Sequence, residues 1–490
     1  MNVKRSSRKS LVDVGSLACL WASSMLVVSS CAVNPVTGRR EFSLLSKSQE
    51  KEVGAQNDQA VLAEMGEVNA PALAGYVRDV GQAVLAKSHE PGAAFTFRLM
   101  DDPTVNAFAL PGGYVYLTRG ILAYLNNEAA MAGVLGHEVG HVMARHGADR
   151  YTKQVFLGLG VAVGGALSGD LGEQLLGAAG QLTLLKYGRD DERQSDKLGV
   201  EYATKAGYDT REMADFFRTL SLLNGGAGRL PAWTSSHPDP GERFETVNKL
   251  SEQAQAGLAT RFNVDREKYL RAVDGIVFGK NPREGFEDAG WFKHPDLDFQ
   301  FVVPPGWLLQ NSKSKVVLAP QDRKSTATLT LAEGASAAAA ADALAKEDAV
   351  QELERQTLTV NGMPAVRAKS RITVANQPVA TMAVTTFIER GGKVYAFVGL
   401  AQEPDFAAQL PNLVSIADSF APLADAAAKT VRPMKIKVVT ANADATLAEI
   451  VKPYPLPALA QTEKVNLGVL NGMSLEDKVQ KGTLVKVVVQ

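Results

Sequence analysis

Two histidines four residues apart, His137 and His141, lie in a stretch, residues 128–145, whose apolar positions follow the period of a helix. That spacing puts both imidazoles on one helix face, one turn apart. Two imidazoles so placed can bind one metal ion. Zinc takes neutral imidazole nitrogens at about 2.0–2.1 Å and keeps a position open for water when it is catalytic. Glu138, next to His137, is placed to take a proton from such a water as it attacks a peptide carbonyl. A five-residue pattern also arises by accident on a buried helix with satisfied histidines, so the rest of the chain has to supply the remaining parts.

A third ligand six residues after His141 is ruled out, because position 147 is Gly. His146 lies nine residues from His137, about 180° around a helix at roughly 100° per residue, and is expected to face away in a structural role. Residues 187–199, YGRDDERQSDKLG, offer carboxylates on a second helix: Glu192 and Asp196 share a face at i, i+4, and Gly199 permits close helix approach. A solvated charged face is the alternative reading of such a run. Around these elements, residues 71–87 have helical spacing and residues 95–99 alternate like a half-buried strand. Residues 106–116, NAFALPGGYVY, predict a strand pair turning at Pro111, Gly112 and Gly113, and the next helix opens after Asn126, Asn127 and Glu128. The glycine-rich apolar residues 155–168 are too short and broken to span a bilayer, and are expected to form a helical cover near the site.

At 490 residues the chain exceeds one ordinary core, and several modules are expected. Lys plus Arg, 52, nearly cancels Asp plus Glu, 53, which leaves no field to recruit nucleic acid. Lys4, Arg5, Arg8 and Lys9 precede an apolar run over residues 14–28 that ends in small residues, the pattern of a secretory leader over residues 1–30. The run ends in Val28-Ser29-Ser30-Cys31, similar to a bacterial lipoprotein processing box, in which Cys31 carries lipid. With Cys19 removed in the leader and Cys31 acylated, neither cysteine of the chain remains as a free thiol. Ala32 after Cys31 resembles the pattern for outer-membrane sorting, so the expectation is an exported, lipid-anchored protein facing the periplasm.

These residues together resemble the zinc metallopeptidases of HtpX and CAAX-prenyl-protease type, in particular their periplasmic lipoprotein branch similar to LoiP and BepA. The resemblance runs from about Asn34 (NPVTGRREFSLLS) to Arg243 and includes NAFALPGGYVYLTRG. It implies that His137, His141 and Glu192 hold one zinc ion, that Glu138 is the catalytic base and that Asp196 orients a zinc histidine; Ser195 stands where Ala is more usual. It also implies that the strand edge carrying Pro111, Gly112, Gly113 and Tyr114 pairs with an extended substrate. Residues 234–243, TSSHPDPGER, are similar to the family's THPxxxxR segment, which makes His237 a gate or oxyanion-side catalytic donor and Arg243 its partner.

The expected architecture is α+β and multidomain. A tether and domain start occupy residues 31–60, a mainly helical peptidase domain with a small substrate-binding sheet residues 61–285, an α+β domain similar to PsbP residues 290–423, and a βααβ unit residues 432–490. Strands are expected at residues 299–303, 315–318, 326–331, 379–388 and 393–400, and an alanine-rich helix at 335–345. The last unit resembles a LysM module, which binds peptidoglycan glycan. Asp444-Ala445-Thr446-Leu447 departs by one residue from the usual GDTL, so a protein-docking role stands beside glycan binding. The function these parts imply is an envelope endopeptidase acting on misfolded or stalled envelope proteins. The competing class is a chaperone or scaffold docked to the cell wall by its C-terminal modules.

Overall fold

The computed structural model describes residues 31–153, 187–225, 232–237, 240–373, 379–462 and 464–490. The expected leader and the glycine-rich stretch 155–168 lie outside the described residues. Among these, no helix is long and apolar enough to cross a membrane.

The HEVGH helix, Glu128–Met143, is the axis of the N-terminal half. Asn127 caps it by accepting from the Ala130 amide at 2.8 Å. Glu128 puts a carboxylate against the positive end of the helix and is held by the hydroxyls of Tyr76 at 2.6 Å and Tyr208 at 2.8 Å. Every residue of the helix except Val142 is buried, because it is wrapped by the helices Pro71–Leu85, Arg189–Lys205 and Arg211–Gly225 and by a three-stranded sheet. In that sheet Tyr114–Thr118 is central, parallel to Thr96–Met100 and antiparallel to Ala107–Leu110. The chain reverses at Gly112 and Gly113, with φ +86° and +97°, and a Cβ on Gly112 would stand 2.7 Å from the Lys51 backbone. Only glycine satisfies both the left-handed conformation and that close approach.

A seven-stranded antiparallel sheet follows, running in space Trp307–Asn311, Lys315–Pro320, Ser325–Ala332, Lys393–Gln402, Thr381–Arg390, Met363–Ile372, Val350–Val360. Its two faces carry different helices. Glu403–Asp418 packs Phe406, Leu413 and Ile416 against one face, and Ala337–Leu344 sets Ala337, Ala340 and Ala341 on the other against Val366, Phe387 and Ala396. The strand Val350–Val360 was not legible as a strand, because at the sheet's edge it is mostly exposed and lacks the apolar alternation that marks a half-buried strand.

At the C-terminus Met434–Thr440 pairs antiparallel with Leu484–Val489. Three short helices lie between them, Leu447–Val451, Ala458–Thr462 and Leu467–Asn471, where two were expected. A third strand, Val277–Phe278, enters this sheet from before the seven-stranded region. Ile436, Leu470, Val485 and Val487 share one continuous apolar core with Leu122, Leu125 and Val273 of the helical half.

Lys486 ties this junction. It is wholly buried; its Nζ donates to the carbonyls of Ala123 at 2.6 Å and Leu125 at 2.8 Å, at the C-terminal end of the helix Arg119–Tyr124. Asn471 brackets its backbone, accepting from the Lys486 amide at 2.7 Å and donating to its carbonyl at 2.9 Å. Burial holds the Lys486 pKa well below the usual lysine range, with Arg266 adding to the effect. Lys486→Met would leave buried acceptors unpaired, at about 1–3 kcal/mol, and urea unfolding should show that loss. The unfolded chain binds the Lys486 proton more tightly than the folded one, so wild-type stability rises with pH between the folded and unfolded pKa values. Lys486→Met should flatten that slope, which unfolding curves at stepped pH would measure.

Candidate metal centre

Glycines set how closely the two ligand-bearing helices approach. A Cβ on Gly199 would lie 2.8 Å from the His137 amide nitrogen, one on Gly136 3.0 Å from the Gly199 carbonyl, and one on Gly140 3.2 Å from that of Ser195. The HEVGH helix and the helix Arg189–Lys205 therefore cross backbone to backbone. This places Glu192 and Asp196 against His137 and His141.

At the crossing, His137 Nε2 lies 3.0 Å from His141 Nε2 and 3.3 Å from His237 Nδ1, and His237 Nδ1 lies 2.9 Å from Glu192 Oε1. One donor atom from each of His137, His141, Glu192 and His237 falls within 4.8 Å of all the others. All four side chains are buried. Asp196 Oδ1 is 2.9 Å from His137 Nδ1, so a proton on Nδ1 leaves the Nε2 lone pair facing the centre.

Arg243 closes the far side. Its Nε and Nη2 meet the two Asp196 oxygens at 2.8 and 2.5 Å, and its Nη1 lies 2.9 Å from Glu192 Oε2. The guanidinium lies over the rings of Phe217 and Trp233, at 4.2 and 4.6 Å.

The charge states follow from these neighbours. Burial would raise the Glu192 carboxyl, but His237 and Arg243 outweigh it and hold the group well below the usual carboxylate range. Asp196 is likewise lowered, burial being outweighed by Arg243 and His137. Burial pushes the His141 imidazole well below its ordinary value, against the pull of Glu192, which keeps its lone pair available.

The donor set suits a metal ion. Imidazole nitrogens and a carboxylate oxygen are the ligands of a first-row divalent cation. His237 Nε2 and both oxygens of Glu138 are buried with no hydrogen-bond partner among the described residues, a costly arrangement for purely structural side chains. Glu138 comes within 3.6 Å of His237 Nε2 through Oε1.

Residues 71–251 match the sequence model of peptidase family M48. The mitochondrial metalloendopeptidase OMA1 of Schizosaccharomyces pombe is 30% identical over 232 residues, which cover 46% of this chain and 68% of that protein. The chain belongs to peptidase family M48. A second relative, the beta-barrel assembly-enhancing protease of Escherichia coli, is 26% identical over 235 residues, 45% of this chain and 47% of its own length. The chain thus spans about half of that bacterial relative. Among solved structures, cyanobacterial PsbP of Synechocystis overlaps 27% of this chain and 91% of its own at 14% identity, with a TM-score of 0.23.

In this M48 metallopeptidase the donors of His137, His141, Glu192 and His237 converge, with Glu138 beside His237, Asp196 behind His137, and Arg243 against Asp196 and Glu192. Two expectations need correction. Tyr114 is paired on both sides, to Thr96 and to Leu110, so its backbone is not a free edge. Pro111, Gly112 and Gly113 form the turn, and among the described residues the strand left with an unpaired side next to the HEVGH helix is Ala107–Leu110. Its end reaches the metallopeptidase centre, since Leu110 and Pro111 line a small void with His141 and Tyr187.

His146, the second correction, does not face away. The helix stops at Met143, Arg145 adopts φ +61°, and the chain folds back to bring His146 Nδ1 to 2.9 Å from His141 Nδ1. A helix continued unbroken past Met143 would have turned His146 to the opposite side.

Two aromatic members of the M48 site had no mark in the sequence. Tyr187 stacks on His141 at 3.7 Å between ring centroids, and Trp233 on His237 at 4.7 Å. Neither belongs to a ligand spacing.

Proposed function

We propose that this chain is a zinc-dependent endopeptidase of the bacterial cell envelope that hydrolyses misfolded or stalled envelope proteins. The observation that carries the reading is Glu138, a buried carboxylate with no hydrogen-bond partner among the described residues, beside the converging donors of His137, His141 and Glu192. A zinc ion held by those three residues would polarise the scissile carbonyl and acidify a water. Glu138 takes the proton of the attacking water and delivers it to the leaving amine. Asp196 holds His137 in the tautomer that presents Nε2, and Arg243 keeps Asp196 and Glu192 ionised.

His237 acts as the gate. With it the donors number four, enough to fill a tetrahedral shell, so it has to withdraw before water and substrate enter. From there it can donate to the oxyanion. The open side of Ala107–Leu110 receives an extended peptide by backbone pairing, which selects conformation over sequence.

The segment ending at Cys31 supports export and lipid anchoring at the outer membrane, facing the periplasm, and the C-terminal unit supports attachment to peptidoglycan through a LysM-like fold. A substrate read as a β-strand must first be unfolded. Zinc-loaded protein is therefore expected to cleave reduced, unfolded casein many-fold faster than a compact folded protein of similar length, followed by gel and mass spectrometry. Equal rates on both, or cleavage of neither, would contradict the reading.

A further inference from the structure

We propose that His146 is a positioning residue for the metal: with Gln194 it fixes the tautomer and ring orientation of the ligand His141. This rests on the metallopeptidase reading above and adds a part that the ligand set does not contain.

His141 turns Nε2 toward the other donors, 3.0 Å from His137 Nε2 and 3.5 Å from Glu192 Oε1. To keep that lone pair free, its proton must sit on Nδ1, and a buried N–H needs an acceptor. The acceptor at hand is His146 Nδ1, at 2.9 Å. For His146 to accept there, its own proton must sit on Nε2, which lies 2.9 Å from Gln194 Oε1. An amide oxygen can only accept, so the direction of the chain is set. Gln194 Oε1 receives from His146, His146 receives from His141, and His141 presents Nε2 to the ion. The same device holds His137 through Asp196; here the hydrogen-bonded partners are an imidazole and an amide, with the Asp191 carboxylate farther off at 3.8 Å from His146 Nε2.

The backbone is spent on this arrangement. Arg145 is a left-handed, non-glycine residue, a conformation that persists only where the surroundings impose it. Its guanidinium is pinned by buried Glu50, with Nε at 2.9 Å, and by the Leu45 carbonyl at 2.9 Å. That clamp swings His146 back over His141. Ser195 Oγ stands 3.3 Å from the same His146 Nδ1 and competes for its single lone pair. Its hydroxyl is not needed for the relay.

Competition for zinc against a chromophoric chelator tests this, with urea unfolding of each metal-free protein alongside. His146→Phe keeps a buried ring but removes the acceptor, and is expected to weaken zinc binding about 10–100-fold. His146→Asn keeps an acceptor oxygen and should recover most of the affinity, Gln194→Ala should lose part of it, and Ser195→Ala should bind as wild type. Wild-type affinity in both His146→Phe and Gln194→Ala would overturn the proposal. So would a loss in His146→Asn as large as in His146→Phe, which would make the role one of packing. If His146→Phe does not fold, the half-buried Gln194 decides the question. Failure of the wild-type protein to bind zinc would instead overturn the metal reading, and this proposal with it.

Discussion

Glu138→Gln is expected to lower cleavage of unfolded casein by about 10²–10⁴-fold, the range for removing a general acid–base group, with zinc content unchanged. The substitution keeps the shape of the side chain and removes the group that accepts the proton. Glu138 is not among the four converging donors, so its loss should spare the metal. Among the described residues the neighbouring carboxylates are already committed: Glu192 is engaged with His237 and Arg243, and Asp196 with His137 and Arg243. The variant also separates the two functional classes. A peptidase that acts by cleavage loses its cellular role in this variant, whereas a chaperone or scaffold keeps it.

How much of this was legible depended on whether a position obeys a local period. His137, Glu138 and His141 could be placed because i, i+4 spacing on a helix is local geometry, and Glu192 with Asp196 for the same reason. Gly199 could be read as a point of close approach, and the Cβ distances give that reading its physical content. His146 could not be placed, because its position depends on a positive φ at Arg145, a residue type that carries no left-handed preference. The Arg145–Glu50 contact that imposes it joins residues 95 apart.

The same limit governs the rest of the fold. Val277–Phe278 joins Met434–Thr440 across the whole seven-stranded region, and no short-range pattern announces such a pairing. Lys486 reads as a polar residue on a strand, yet it is the buried hinge pin between that strand and the helical half. The turn at Pro111, Gly112 and Gly113 was plain from its glycines. Which side of the pair stays open was not, because the parallel strand Thr96–Met100 that occupies the far side of Tyr114 precedes both.

Glu192→Ala has the second large expected effect, and it falls on the metal itself. The substitution removes the carboxylate ligand, leaves His237 without its 2.9 Å partner and takes from the buried Arg243 one of the two carboxylates it pairs with. Breaking a buried charge cluster on one side costs about 3–5 kcal/mol. Zinc affinity should fall by more than the roughly 10–100-fold that outer partners cost, and the metal-free variant should unfold at lower urea than metal-free wild type. Asp196→Asn should be milder, since its amide oxygen can still accept from His137. Competitive zinc titration and urea unfolding read the two effects separately.

The central claim is that His137, His141 and Glu192 hold a catalytic zinc that Glu138 serves. It is tested most directly by measuring zinc content and casein cleavage on the same samples, before chelation, after it, and after zinc is restored. The predicted result is one zinc per chain, with cleavage lost as the metal is removed and regained in proportion to the metal returned. Cleavage that persists at full rate in metal-free protein, or zinc-loaded wild type that never cleaves an unfolded chain, would contradict it.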